Sequence, residues 1–142
     1  MGEWASGIGM ASLMVLDTDV LIDHFRGLRE ATLWIHALPV GRRAVTDVTV
    51  MELFRGATNR QELDAIDRFL DHNLFVRLPI TTWASRRAVE LVRQYGLSHG
   101  LRMPDALIAS IVLESGSEFY TGNLRHFEFI EGLHEQRPPY RP

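Results

Sequence analysis

A chain of 142 residues with 46% hydrophobic content is long enough to bury a core and too short for two domains of ordinary size. The absence of cysteine excludes disulfide frameworks and thiolate metal sites, and fits a reducing cytoplasm. The 15 basic residues are all arginine, which excludes chemistry built on an active-site lysine, and with 18 acidic residues they leave a net charge of -3, unlike a protein that coats nucleic acid.

Residues 1–13 have neither a basic start nor a sustained apolar core, so they read as a disordered, dispensable extension rather than a signal peptide, and Met14 is a second candidate start. No apolar run approaches the roughly 20 residues of a membrane helix. Residues 14–17 form a first strand, and Asp19 is placed to N-cap a helix to about residue 26, ended by Gly27. A second helix over 28–38 is closed by Pro39 and Gly41, a strand spans 43–46, and a helix over 48–55 ends at Gly56. Asn59 with Glu62 looks like a capping pair for a helix that puts Leu63, Ile66, Leu70 and Leu74 on one face. A strand over 75–78 precedes a helix marked by Ala84, Ala88, Leu91, Val92 and Tyr95 and stopped by Gly96.

Pro104 fits the first turn of a helix through DALIASIVLES that is apolar almost all round. Residues 118–121 form a last strand, GNLRHFEFIEGL a loop with a turn of helix, and 137–142 an extended tail beyond a domain of 14–136. Strands alternating with helices imply crossovers, hence a three-layer α/β/α fold around a central parallel sheet.

Four polar groups fall where packing alone does not ask for them: Asp17 at the end of the first strand, Glu52 and Asp105 in apolar helices, and Asn123 after the last strand. Each acid has a structural alternative. Thr49 and Glu52 match a capping box, and an Asp in a first turn is favoured by the helix dipole. Together they fall at the carboxyl-end rim of a parallel sheet, where ligands bind. Converging carboxylates raise one another's pKa, and a divalent cation removes that cost.

The segments LDTDVLID, VTVMELFRGA, MPDALIAS and YTGNLRHF, in this order, resemble the PIN domain of VapC-type toxins of bacterial toxin–antitoxin pairs, over residues 14–133. The resemblance implies that Asp17, Glu52 and Asp105 are the metal-site acids, that Asn123 stands where the family has Asp or Asn, and that the Thr121 hydroxyl lies beside the metal. Two positions depart from the pattern. Asp19 replaces a usual Asn, as a further acid or a stronger cap, and His126 replaces a frequent Asp, leaving the fourth corner without a carboxylate.

The expected cofactor is Mg²⁺, with Mn²⁺ able to substitute, because a hard ion takes oxygen ligands and keeps several waters. The expected activity is an endoribonuclease whose metal-activated water attacks the phosphodiester, leaving 5′-phosphate and 3′-hydroxyl ends. Arg55 and Arg102 are candidates for RNA phosphate contacts, with exposed ion pairs as their alternative. The resemblance also implies a small antitoxin partner and a homodimer, using the apolar helices near residues 28–38 and 61–74. Two other readings stay open. One is a catalytically silent PIN module that binds RNA or a partner. The other is a haloacid-dehalogenase-like phosphatase, whose first motif is also a strand followed by DxD but which normally needs a lysine.

Overall fold

The computed structural model describes residues 12–142, so the expectation for residues 1–11 lies outside the described part. Ser12 and Leu13 already engage the fold. The Glu118 backbone N–H donates to the Leu13 carbonyl over 3.0 Å, and the Leu13 side chain packs on the core.

The described chain runs β1 (Met14–Leu16), α1 (Thr18–Phe25), α2 (Arg29–Ala37), β2 (Arg43–Thr46), α3 (Asp47–Gly56), α4 (Arg60–His72) and β3 (Val76–Leu78). It continues through α5 (Thr82–His99), α6 (Met103–Ser115), β4 (Glu118–Tyr120), a 3-10 turn at Leu124–His126 and β5 (His134–Gln136). The five strands form one parallel sheet in the order β3-β2-β1-β4-β5. The architecture is the expected three-layer α/β/α, and burial explains it residue by residue. Val15 of β1 points into one core with α5, α6 and Phe119, while Met14 and Leu16 point into the other with Val20, Ile35, Leu53, Ile66 and Leu70. A strand buried on both faces reads as a continuous apolar run, as Met14-Val15-Leu16 does.

The chain steps outward from β1 through β2 to β3, then returns to lay β4 on the other side of β1. The crevice at the carboxyl ends of β1 and β4 is therefore the switch point of the sheet, where open α/β folds bind ligands. The turn through Gly116 and Ser117 joins α6 tightly to β4, with Ser117 N–H on the Val112 carbonyl at 3.4 Å. The helix therefore returns antiparallel to the strand, and its first turn lies at that same rim.

Several local expectations shift. Asp17, not Asp19, caps α1: its backbone is extended (φ -70°, ψ 163°) and its side chain accepts from Thr18 N–H. Thr46, not Thr49, caps α3, because that helix starts at Asp47 and leaves Thr49 inside its first turn. α5 runs through Gly96 to His99 and stops where Gly100 takes the left-handed conformation at φ +66°. Leu74 lies beyond α4, at φ +55° and exposed, rather than on its apolar face. β5 was not expected; it pairs with β4 from Glu118↔His134 to Tyr120↔Gln136. Among the described residues no helix is long and apolar enough to cross a membrane.

The sequence also gave no notice of a buried arginine. Arg43 donates to the backbone carbonyls of His36, Leu38 and Asn73 at 2.8 to 3.1 Å, which satisfies its fork and ties the entry of β2 to the ends of α2 and α4.

Candidate active site

Asp17 sits at the head of the switch crevice, 6% exposed. Its backbone N–H still belongs to the sheet, donating to the Tyr120 carbonyl at 2.9 Å, while its side chain already caps α1. Oδ1 accepts from Thr18 N–H and Oδ2 from the Thr121 hydroxyl, both at 2.8 Å. These bonds do not offset the loss of water. Burial, with the Asp19 charge next in size and the Asp105 charge adding to it, pushes the Asp17 carboxyl up to about 7.

Glu52, on the second turn of α3, is reached through hydroxyls. The Thr18 hydroxyl lies 2.5 Å from Glu52 Oε1 and 2.9 Å from the Thr49 hydroxyl. A carboxylate only accepts, so Thr18 donates to Glu52 and receives from Thr49. Thr49 thus serves the rim rather than opening a capping box. Asp105, in the first turn of α6, has its carboxyl raised by burial, with Arg102 and His126 opposing and Glu52 adding. His126 Nδ1 stands 3.5 Å from Asp105 Oδ2. The residue at the fourth corner therefore faces the acids as an imidazole.

Thr121, Asn123 and Asp19 complete the rim. The Thr121 hydroxyl receives the Asn123 backbone N–H at 3.0 Å while it donates to Asp17. Asp19 Oδ2 accepts from Gly122 N–H at 2.9 Å and from Asn123 Nδ2 at 3.3 Å. Its other oxygen, Oδ1, is buried with no hydrogen-bond partner among the described residues. Burial raises the Asp19 carboxyl, with Arg141 and the Gly122 amide pulling the other way. The predicted set Asp17, Glu52, Asp105, Thr121 and Asn123 is thus brought to one rim. Arg102 is exposed and electrostatically felt by Asp105, and Arg55 is exposed on α3 one turn beyond Glu52. A groove of about 500 Å³ opens beside Glu52 and is walled by Ile22, Phe25, Leu53, Ala57 and Ile66.

The donor set fits a hard cation: the acids present only oxygens, and Asp17 and Asp105 carry raised pKa values that a positive charge would relieve. Among the described residues no three acidic or imidazole side chains converge closely enough to clasp an ion by themselves. A hard ion suits such an open set because it keeps waters in its shell.

Sequence reasoning missed the Thr18–Thr49 relay, the Asp105–His126 pair, and Tyr140 and Arg141, which fold back onto α1. A Thr between two rim acids in LDTD was a usable signal for the first. The other contacts join distant segments and leave no local pattern. Gly122 records one of them, since a Cβ there would collide with Arg141 and lie 2.5 Å from Asp19 Oδ2. Gly122→Ala is expected to cost about 1–3 kcal/mol, the scale of overpacking a filled site, measured as a lower urea midpoint at unchanged slope.

A PIN domain is recognised over residues 14–130. The chain belongs to the PIN-domain family. Within it, the chain is 32% identical over 130 residues to Ribonuclease VapC10 of Mycobacterium tuberculosis, covering 90% of this chain and 93% of that protein. Among solved structures, a toxin–antitoxin complex from Klebsiella pneumoniae matches this PIN domain with TM-score 0.72 and 29% identity, over 88% of this chain and 97% of that one. A DNA-bound VapBC from Salmonella typhimurium superposes with TM-score 0.73 at 23% identity, covering 89% of this chain and 98% of that one, a likeness of fold. Membership in this family decides against the phosphatase alternative.

Proposed function

We propose that this PIN domain is a Mg²⁺-dependent endoribonuclease, the cytoplasmic toxin of a toxin–antitoxin pair, hydrolysing RNA to 5′-phosphate and 3′-hydroxyl ends. The observation that carries the reading is Asp17: a carboxyl at the sheet's switch point whose pKa is raised chiefly by burial, then by Asp19 and least by Asp105, with a hydroxyl network tying the rim together. A bound cation would offset the cost of ionising a carboxyl there. Support for the substrate and partner comes from relatives, one named a ribonuclease and another solved as a toxin–antitoxin complex.

Asp17 and Asp105 would hold the ion, Glu52 would join them or position water, Thr121 orients Asp17, and Asn123 would be an outer ligand. When bound, Mg²⁺ would make hydroxide available near neutrality, and a two-ion site would also stabilise the departing oxygen. Arg102 and Arg55 flank the acids and receive RNA phosphates. The groove beside Glu52, largely apolar along its walls with Glu52, Glu62 and Arg26 at its edges, suits an antitoxin segment that brings apolar anchors and a basic group for the two glutamates. The protein works as a homodimer.

The test is RNA cleavage together with metal-linked stability. Mg²⁺ or Mn²⁺ is expected to raise the melting temperature and support cleavage of total bacterial RNA. Asp105→Asn should blunt both while leaving the metal-free protein as stable or more so. An Asp105→Asn protein that unfolds without metal would mark Asp105 as a cap. A wild type with no cation response would favour the silent module, a reading that the open spacing of the acids keeps in play.

A further inference from the structure

Arg141 lies beyond residues 14–130, where the PIN match ends, yet it reaches the acid rim. Its Nε donates to Asp23 Oδ2 at 2.9 Å and its Nη2 to Asp23 Oδ1 at 2.8 Å, a bidentate pair that fixes the plane of the guanidinium. The Tyr140 hydroxyl donates to the same carboxylate at 2.8 Å, and its ring packs near Trp34, centroids 5.9 Å apart. The third guanidinium nitrogen, Nη1, is thereby delivered to within 3.5 Å of Asp19 Oδ2.

From Asp19 the contacts run on without a gap. Gly122 N–H and Asn123 Nδ2 donate to the same Asp19 oxygen, Asn123 N–H donates to the Thr121 hydroxyl, and that hydroxyl donates to Asp17. Gly122 leaves room for the guanidinium against the loop.

We propose that Arg141, anchored on Asp23, is a positioning residue for the metal-binding rim: it holds Asp19, and through Asp19 the 121–123 loop, so that Thr121 presents Asp17. The proposal rests on the metal-dependent reading above. The guanidinium does not touch the reacting atoms. It supplies the positive charge that lets an acid stand two residues from Asp17, and a rigid fork where a lysine offers only a point charge. Losing a group hydrogen-bonded to a metal ligand typically weakens metal affinity by about 10–100-fold, and Arg141, further out, belongs at the low end of that range.

Mn²⁺ alone, titrated calorimetrically into the full chain, gives the readout. Arg141→Ala is expected to bind Mn²⁺ about tenfold more weakly than wild type and, without metal, to exchange the Gly122 amide hydrogen faster. In an Asp19→Asn background the same substitution is expected to change Mn²⁺ affinity less than about threefold, because the connection to Asp17 runs through the Asp19 carboxylate. Arg141→Gln, which keeps one donor for Asp23, replaces the alanine variant if that one does not fold, with the same expected directions. A lower melting temperature with unchanged Mn²⁺ affinity would reduce Arg141 to a strap on α1 and overturn the proposal, as would tighter Mn²⁺ binding, the mark of a competing cation. A wild type that binds no Mn²⁺ overturns the metal reading and this proposal together, whereas normal wild-type binding with an indifferent Arg141→Ala overturns the proposal alone.

Discussion

Asp17→Asn is expected to give a protein that is more stable than wild type at pH 8 in EDTA and that cleaves no RNA at any pH. The folded Asp17 carboxyl is pushed from 3.8 up to about 7. Between those values the native state binds the proton more tightly than the unfolded chain does, so unfolding releases protons and stability falls as pH rises. The contribution is neutral to folding below about pH 4, grows into a penalty across pH 4–7, and is constant above. At about 1.4 kcal/mol per unit the penalty is on the order of 4 kcal/mol. An amide keeps the shape, accepts from Thr18 N–H and can donate to the Thr121 hydroxyl, but carries no charge to desolvate. Thermal melts at pH 4 and pH 8 check this: the two proteins should nearly coincide at pH 4 and separate at pH 8. Adding Mg²⁺ should close the gap by lifting only the wild type. A variant that melts below wild type at pH 8 would show the carboxylate stabilising the apo fold, against the site proposed here.

The stretches that were legible in the sequence are those whose cause is local. Met14-Val15-Leu16 reads as a strand, and Pro104 opens α6 in its first turn, where its missing N–H costs nothing. Asn59 caps α4 as expected, with its Oδ1 accepting from Glu62 N–H at 2.9 Å. The misplaced cap of α1 shows the limit. Asp17 and Asp19 are both good caps, and what selects Asp17 is its backbone pairing with Tyr120, a partner more than a hundred residues away. Gly96 was a plausible stop, but a helix with Ala88 and Leu91 already buried continues until Gly100 supplies the turn.

β5 is an edge strand of three polar residues, His134-Glu135-Gln136, whose state is set by β4 rather than by its own propensity. The site divides in the same way. Asp17, Glu52 and Asp105 stand out because acids in apolar surroundings are conspicuous. The contacts of Arg141 with Asp23 and of Thr18 with Glu52 join separate segments, and only the folded chain brings them within bonding distance.

The chemistry itself is decided by the ends of the products. Asp17, Asp105 and Glu52 offer oxygen ligands, and the His126 imidazole stands 3.5 Å from Asp105. A ribonuclease that uses the 2′-hydroxyl as nucleophile needs a general base and a general acid on opposite sides of the phosphorus and leaves a 2′,3′-cyclic phosphate. A metal-activated water needs neither the 2′-hydroxyl nor that pair. Cleavage of total bacterial RNA in Mg²⁺ is therefore expected to leave 5′-phosphate and 3′-hydroxyl ends, and a substrate with its 2′-hydroxyl blocked at the cut site should still be cut if it binds. EDTA should lower the rate by at least about a thousandfold, a modest share of the enhancement enzymes achieve, and Mn²⁺ should restore it. Ends are identified by whether a 5′-phosphate-dependent exonuclease degrades the fragments and whether they accept a 3′-adaptor without prior phosphatase treatment. Cyclic-phosphate ends, or cleavage by Asp17→Ala that persists in EDTA, would defeat the metal-hydrolysis mechanism while leaving the fold and its family as they stand.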